Sequence, residues 1–184
     1  YSVLNGCQST LPATVSVYVK WTPGTPLLTT NSPVCAGMGY NPNYLIMNVS
    51  DTSSGVTYTW SGPNAFSVVD DPATTQTITN PPALDAGDYT VYATLNGCIS
   101  AFSTSTVIIK PTPTPPVVSP AKFVYCQFEP TTVLTATGTS LRWYTVQTGG
   151  VSAASIIPQD SIAGLYVYYT TQTVNNCQSQ PAPD

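Results

Sequence analysis

Between residues 44 and 109 apolar and polar side chains alternate in short runs: YLIMNV (44–49), VTYTW (56–60), AFSVV (65–69), TQTIT (75–79), DYTVYAT (88–94) and FSTSTVII (102–109). A period of two sends successive side chains to opposite faces of a strand, so each run predicts a strand with one face buried. The runs are rich in Thr, Val, Tyr and Ile and are bounded by Gly, Pro, Asn, Asp or Ser, at the spacing of an all-β sandwich. No helical period competes. The 18 prolines gather in turns and between groups of runs, where they interrupt nothing, and would fragment helices elsewhere.

The pattern repeats. Cysteines stand at positions 7, 35, 98, 126 and 177; Cys7 and Cys98 are 91 residues apart, as are Cys35 and Cys126, while Cys177 follows Cys98 by 79. The flanks match as well: TVSVYVK then WTPGTP after Cys7, TSTVIIK then PTPTPP after Cys98. A fixed period with matching flanks marks a repeat array. It divides the chain into the closing hairpin and linker of one unit (residues 1–25), a complete unit (26–112) and a unit lacking its last strand (113–184). The two proline-rich linkers favour extended polyproline II geometry and act as semi-rigid spacers. The opening YSVLNG has neither the basic start nor the apolar core of a signal peptide, so the N-terminus is expected to be a cut.

Each unit ends on a turn dipeptide followed by a cysteine: Asn5-Gly6-Cys7, Asn96-Gly97-Cys98 and Asn175-Asn176-Cys177. A two-residue type I′ hairpin needs positive φ at both central residues, which Asn and Gly tolerate, so these are read as tight turns joining the last two strands. In LDAGDYTV, Tyr89 follows Asp-Ala-Gly at the entry to a late strand and resembles the tyrosine corner of immunoglobulin-like sandwiches; Tyr166 in IAGLYVYY is its counterpart. Trp60 and Trp143 are the large aromatics expected on a central strand, packing across each sandwich.

With no histidine and cysteines tens of residues apart, a zinc site has neither ligands nor spacing. Disulfides are the alternative. Pairing within units predicts Cys35–Cys98 and Cys126–Cys177, each stapling a first strand to a last, and leaves Cys7 to a partner before Tyr1. Loops of this length stabilise a fold by roughly 4 kcal/mol on the chain-entropy model. Tension entering before Cys35 and leaving after Cys98 would bypass the residues between them.

Composition narrows the function. Charged residues are 7% of the chain, the net charge is −4, and Lys20, Lys110, Lys122 and Arg142 are the four cations. So few cations cannot neutralise a run of phosphates, which argues against nucleic acid and against anionic membranes. No apolar run approaches the ~18 residues of a spanning helix. Ser and Thr make up about a quarter of the residues, yet without a histidine or a buried lysine none is a credible nucleophile. A carboxylate pair for glycoside hydrolysis would have to come from Asp70, Asp71, Asp85, Asp88 or Glu129. Asp70 and Asp71 precede Pro72 and Asp85 opens the corner before Tyr89, so these read as solvated turn carboxylates. The alternative for Asp70, Asp71, Asp85 and Asp88 is a calcium site, since hard oxygen ligands on adjacent loops suit that ion. No other cofactor, and no enzymatic activity, is expected. Asn48-Val49-Ser50 is an N-glycosylation sequon within a predicted strand.

As a set, SPVCAG, YTWSGPNAFS, AGDYTVYATLNGC, TVIIKPTPTPP, LTATGTSLRWYTVQTGG and YYTTQTVNNC resemble the Ig-like and PKD-like repeat arrays of large secreted and cell-surface proteins of the Bacteroidota, over nearly the whole chain. The resemblance implies tandem immunoglobulin-like β-sandwich domains outside the cell, in proteins of which some are surface adhesins exported by the type IX secretion system. Asp160-Ser161-Ile162 matches the O-glycosylation pattern of that phylum, making Ser161 the better glycosylation candidate beside Asn48. The function expected is a non-catalytic stalk or fibre-forming scaffold whose partners are neighbouring units and other copies in a filament, without membrane insertion. Two alternatives stand beside it: direct glycan binding through aromatics such as Tyr40, Tyr44 or Phe66, and an accessory region of a secreted polysaccharide-degrading enzyme. The absent last strand of the third unit is expected either from continuing chain or by donation from another copy.

Overall fold

The fold follows from a computed structural model that describes residues 2–8, 10–11, 14–50, 54–119 and 123–181. Near its start, β1 (Val3–Leu4) and β2 (Cys7–Gln8) form an antiparallel hairpin. Residues 14–25 run on without strand partners among the described residues, with Val15, Val17, Tyr18, Val19 and Trp21 all exposed.

Two sheets then face each other. One has the order β3 (Leu27–Thr30), β5 (Tyr44–Ser50), β8 (Thr75–Thr79). The other runs β10 (Cys98–Ile99), β9 (Gly87–Leu95), β6 (Thr57–Ser61), β7 (Ser67–Asp71), with β11 (Ser103–Val107) also pairing β9. The period-two pattern does what it predicts: Leu45, Met47 and Val49 of β5 are buried from one side, and Tyr58, Trp60, Val91 and Ala93 of β6 and β9 from the other. All these sheet pairs are antiparallel. This is a tandem immunoglobulin-like sandwich fold, and the arrangement is all-β apart from a single 3-10 turn, Ala83–Asp85, among the described residues.

Two of the predicted runs are re-cut by their neighbours. AFSVV starts its strand late because Asn64 and Ala65 take φ of 51° and 57° and form the preceding turn. FSTSTVII splits at Ile108, whose N–H bonds Ser32 Oγ at 2.8 Å and whose carbonyl accepts from Val34 N–H at 3.1 Å. There the chain leaves β9 and, as β12 (Ile109–Lys110), pairs in parallel with β4 (Val34–Cys35), placing Lys110 opposite Cys35.

Beyond the PTPTPP linker the pairs are shorter: β13 (Val117–Val118) with β14 (Ala136–Thr137), β15 (Arg142–Tyr144) with β16 (Tyr169–Thr171), and β17 (Thr173–Val174) with β18 (Cys177–Gln178). Trp143 and Tyr144 are buried there with Leu134, Thr170, Thr171 and Ser179.

The cysteine pairing differs from the expectation. Cys35 is bonded to Cys177, 142 residues away, and Cys7, Cys98 and Cys126 are thiols. Neither Cys35–Cys98 nor Cys126–Cys177 forms. The reason is the direction of β9: the Cys35 end of the sandwich lies beyond Gly87, which pairs with Val107, whereas Cys98 pairs with Leu95 at the other end of the same strand. Eight strand residues separate those ends by about 27 Å, against the ~7 Å limit for bridging two cysteine Cα atoms. Cys35 therefore meets the hairpin of the next sandwich instead of its own.

Candidate functional site: the junction between sandwiches

What the fold brings together is a junction between the central sandwich and the one that follows. Its covalent element is the Cys35–Cys177 bond, from the end of β4 to the first residue after the β17–β18 turn. Beside it, Lys110, held opposite Cys35 by the parallel pair, donates from Nζ to the carbonyl of Asn175 at 3.4 Å. The two contacts clamp the hairpin by its turn and by its first strand residue.

Aromatic packing supplies the second element. Tyr40 stacks on Tyr144 with ring centroids 3.9 Å apart and planes 20° off parallel. Its hydroxyl accepts from Gly150 N–H at 2.7 Å and donates to the Val146 carbonyl at 3.3 Å, so the polar tip of a side chain only 2% exposed is satisfied by the far sandwich. Such a stacked pair contributes ~0.5–1.5 kcal/mol beyond the apolar area it buries. The Tyr144 hydroxyl in turn accepts from Gln178 Nε2 at 2.6 Å, which also donates to Thr171 Oγ1 at 2.8 Å.

Close approach of the two backbones needs Gly39. A Cβ there would stand 2.5 Å from the Gln178 carbonyl oxygen, closer than such atoms come, so no other residue fits without moving the hairpin. The linker is tied down as well: the Thr114 carbonyl accepts from Gln172 Nε2 at 2.7 Å, and Thr112 Oγ1 bonds the Ala36 carbonyl. An open groove lined by Met38, Pro82, Pro111 and Pro113 runs beside these contacts.

The hairpin at the junction is built like the two others. Asn96-Gly97 has φ of 51° and 81°, Asn5-Gly6 has 51° and 80°, and Asn175-Asn176 has 52° and 66°, the positive pairs a type I′ turn requires. Two residues past the cysteine, Ser100 Oγ accepts from Ala93 N–H at 2.9 Å, while Ser100 N–H donates to the Ala93 carbonyl at 2.9 Å. Ser179 does the same for Gln172, at 3.1 and 2.8 Å. Both serines are buried, and each hydroxyl donates onward to the next carbonyl. The signal was in the sequence as the shared Asn-(Gly/Asn)-Cys-x-Ser string of NGCQS, NGCIS and NNCQS.

The remaining residues singled out from the sequence are dispersed. Tyr89 is fully buried and its hydroxyl donates to the Asp85 carbonyl at 3.0 Å; Tyr166, 40% exposed, reaches the Ile162 carbonyl at 3.2 Å with the same four-residue reach. Burial, and then the charge of Asp85, push the Tyr89 phenol up to about 12. Gly62 gives that ring its room, since a Cβ there would lie 2.5 Å from it. Trp60 and Trp143 are both buried, at 0% and 3% exposure, and Trp60 Nε1 has no hydrogen-bond partner among the described residues.

Three of the four aspartate carboxylates accept hydrogen bonds from within the central sandwich. Asp85 is buried and its Oδ1 accepts from Asn64 Nδ2 at 2.8 Å; Asp71 accepts from Ala73 N–H and Gln76 Nε2, both at 2.8 Å; Asp88 accepts from Thr106 Oγ1 at 2.5 Å. Asp70 sits at a bulge with φ 52°. Burial of Asp85 departs from the solvated turn carboxylate read from sequence. Among the described residues no three Asp, Glu, Cys or His side chains gather closely enough to hold a metal ion.

Of the aromatics considered as glycan contacts, Tyr40 is spent on the junction, Phe66 packs edge-on against Tyr89 with centroids 5.4 Å apart, and Tyr44 is exposed on β5. Asn48 is exposed on β5 and its Oδ1 accepts from Thr75 Oγ1; Ser161 is exposed, with its hydroxyl bonded by Gln159 Nε2. Lys122 lies outside the described residues.

No protein-family model and no curated protein matches the chain. Solved structures do. The three N-terminal domains of the highly immunogenic outer capsid protein of bacteriophage RB49 align with 16% identity and a TM-score of 0.36 over 80% of this chain and 53% of theirs. Sidekick-1 immunoglobulin domains 1–4 align with 17% identity and a TM-score of 0.35 over 87% and 45%. The insect immune protein hemolin gives 17% and 0.34 over 82% and 46%. The chain spans about half the length of these structures.

Proposed function

We propose that these residues form a load-bearing, non-catalytic stalk segment of a large extracellular repeat protein, which holds a distal adhesive or catalytic module away from the cell. The single observation that carries this reading is the junction: a disulfide, a stacked tyrosine pair and a lysine-to-hairpin contact convert two sandwiches and their linker into one continuous element. A recognition module needs an accessible, chemically distinctive surface. Here the distinctive side chains are turned into the contact between units.

The disulfide supports an oxidising compartment, and the repeat motifs support placement among the surface and secreted arrays of the Bacteroidota, exported by the type IX route. Neighbouring units of the same chain are the partners the junction serves. Assembly into a filament with other copies would extend the same geometry.

A glycan array probed with this chain separates the stalk from direct adhesion. The stalk reading expects no selective binding. Selective binding that Tyr44→Ala abolishes would instead assign the segment to glycan recognition, because Tyr44 is the exposed member of the three aromatics considered for it.

A further inference from the structure

The junction described above has a second, half-visible copy. In the complete one, Lys110 lies opposite Cys35 across a parallel strand pair and reaches the turn carbonyl of Asn175, two residues before the bonded Cys177. At the other end of the central sandwich, Lys20 donates from Nζ to the carbonyl of Asn96 at 2.8 Å, two residues before Cys98. Lys20 and Lys110 close the matching strings TVSVYVK and TSTVIIK, and Asn96-Gly97-Cys98 and Asn175-Asn176-Cys177 are the matching hairpins. One lysine contact therefore recurs at both junctions. At the second it accompanies a disulfide; at the first, Cys98 is a partly exposed thiol, and Val19–Lys20 is exposed and has no strand partner among the described residues.

We infer that Cys98 is one half of an inter-unit disulfide whose other half is a cysteine on a strand pairing in parallel with Val19–Lys20, the equivalent of Val34–Cys35 in the unit before. The rule is that the entry cysteine of each unit bonds the hairpin cysteine of the unit after it. Cys126, which stands 91 residues after Cys35, is the entry cysteine of the third unit and bonds the hairpin of a fourth. Cys7, the hairpin cysteine of the first, bonds the entry strand of the unit before that, three units upstream of Cys126. All three thiols are thereby assigned, each to a cysteine outside these 184 residues, and none pairs with another.

Each bond forms by oxidation of two thiols, which lose two protons and two electrons to an oxidised dithiol catalyst of the thiol–disulfide oxidoreductase class, whose own disulfide becomes a dithiol. The lysine contact already sets the exit segment of one unit, Val19–Lys20, beside the hairpin of the next, so an entry strand paired with it as Val34–Cys35 pairs with Ile109–Lys110 would bring its cysteine to Cys98. The inference concerns how the array is bonded and is independent of what the array carries.

The test is disulfide mapping of the whole protein, isolated under oxidising conditions, alkylated before unfolding and digested without reduction. The expected result is a Cys35–Cys177 peptide pair, a Cys98 peptide joined to one from the preceding unit's entry strand, and no alkyl label on Cys98. Recovery of Cys98 alkylated, or joined to Cys7, Cys35 or Cys126, overturns the inference. Either of those outcomes would leave the glycan-array result, and so the stalk reading, to stand or fall by itself.

Discussion

Tyr89 shows what a single side chain contributes. Its ring is fully buried over Gly62 and its hydroxyl closes the corner onto the Asp85 carbonyl, so the phenol is favoured in its neutral form. The native phenol titrates at about 12 rather than 10.0. Between those values the unfolded chain releases a proton that the native state keeps, so this contribution to stability is complete below pH 10 and is lost as pH rises toward 12. Tyr89→Phe is expected to cost roughly 1 kcal/mol at neutral pH through the lost hydrogen bond and to flatten the alkaline decline. Urea unfolding at pH 8 and pH 11 measures both; an unchanged decline in the variant would assign it to another group. The corner was legible in the sequence because it is local, a Tyr four residues after Asp85. The burial of Asp85 was not, because Asn64, the residue that satisfies it, comes from a turn 21 positions away.

At the scale of elements, the hairpin is the recurring part. Positive φ at both turn residues follows directly from Asn-Gly and Asn-Asn, which is why all three turns could be read from the sequence. The serine two residues past each cysteine is less obvious. Ser100 opens the ladder by one residue and uses its hydroxyl in place of a backbone carbonyl to satisfy Ala93 N–H. Ser100→Ala leaves that buried donor unpaired and is expected to cost about 1–3 kcal/mol, with Ser100→Thr costing less if its hydroxyl keeps the bond. Thermal unfolding of the two variants checks this, and equal stability of Ser100→Ala and the parent would show that water replaces the hydroxyl. The strands themselves were legible where alternation was strong. They were misjudged where a turn residue or a change of partner decided the end, as at Asn64-Ala65 and Ile108.

For the molecule as a whole, spacing identified two kinds of cysteine but could not say which meets which. The answer depends on which pole of the sandwich each occupies, and that is set by strand direction, eight residues of β9 separating the two poles. Gly39 and Tyr40 were equally hidden, since their partners, Gln178 and Tyr144, belong to the next unit. Gly39→Ala forces its new methyl against the Gln178 carbonyl, so it is expected to loosen the junction and quicken reduction of Cys35–Cys177 severalfold while each sandwich stays folded. An unchanged reduction rate would mean the hairpin already moves freely.

The most direct test of the locked junction is to pull single molecules from the two ends, with and without reductant. The bond places the 141 residues between Cys35 and Cys177 (177 − 35 − 1) outside the path of the force. Reduction is therefore predicted to release up to about 480 Å of additional contour at ~3.4 Å per residue, with the strands between the two cysteines extending only after it. Equal extension in both conditions, or an oxidised chain in which the residues between Cys35 and Cys177 extend under load, would contradict the account.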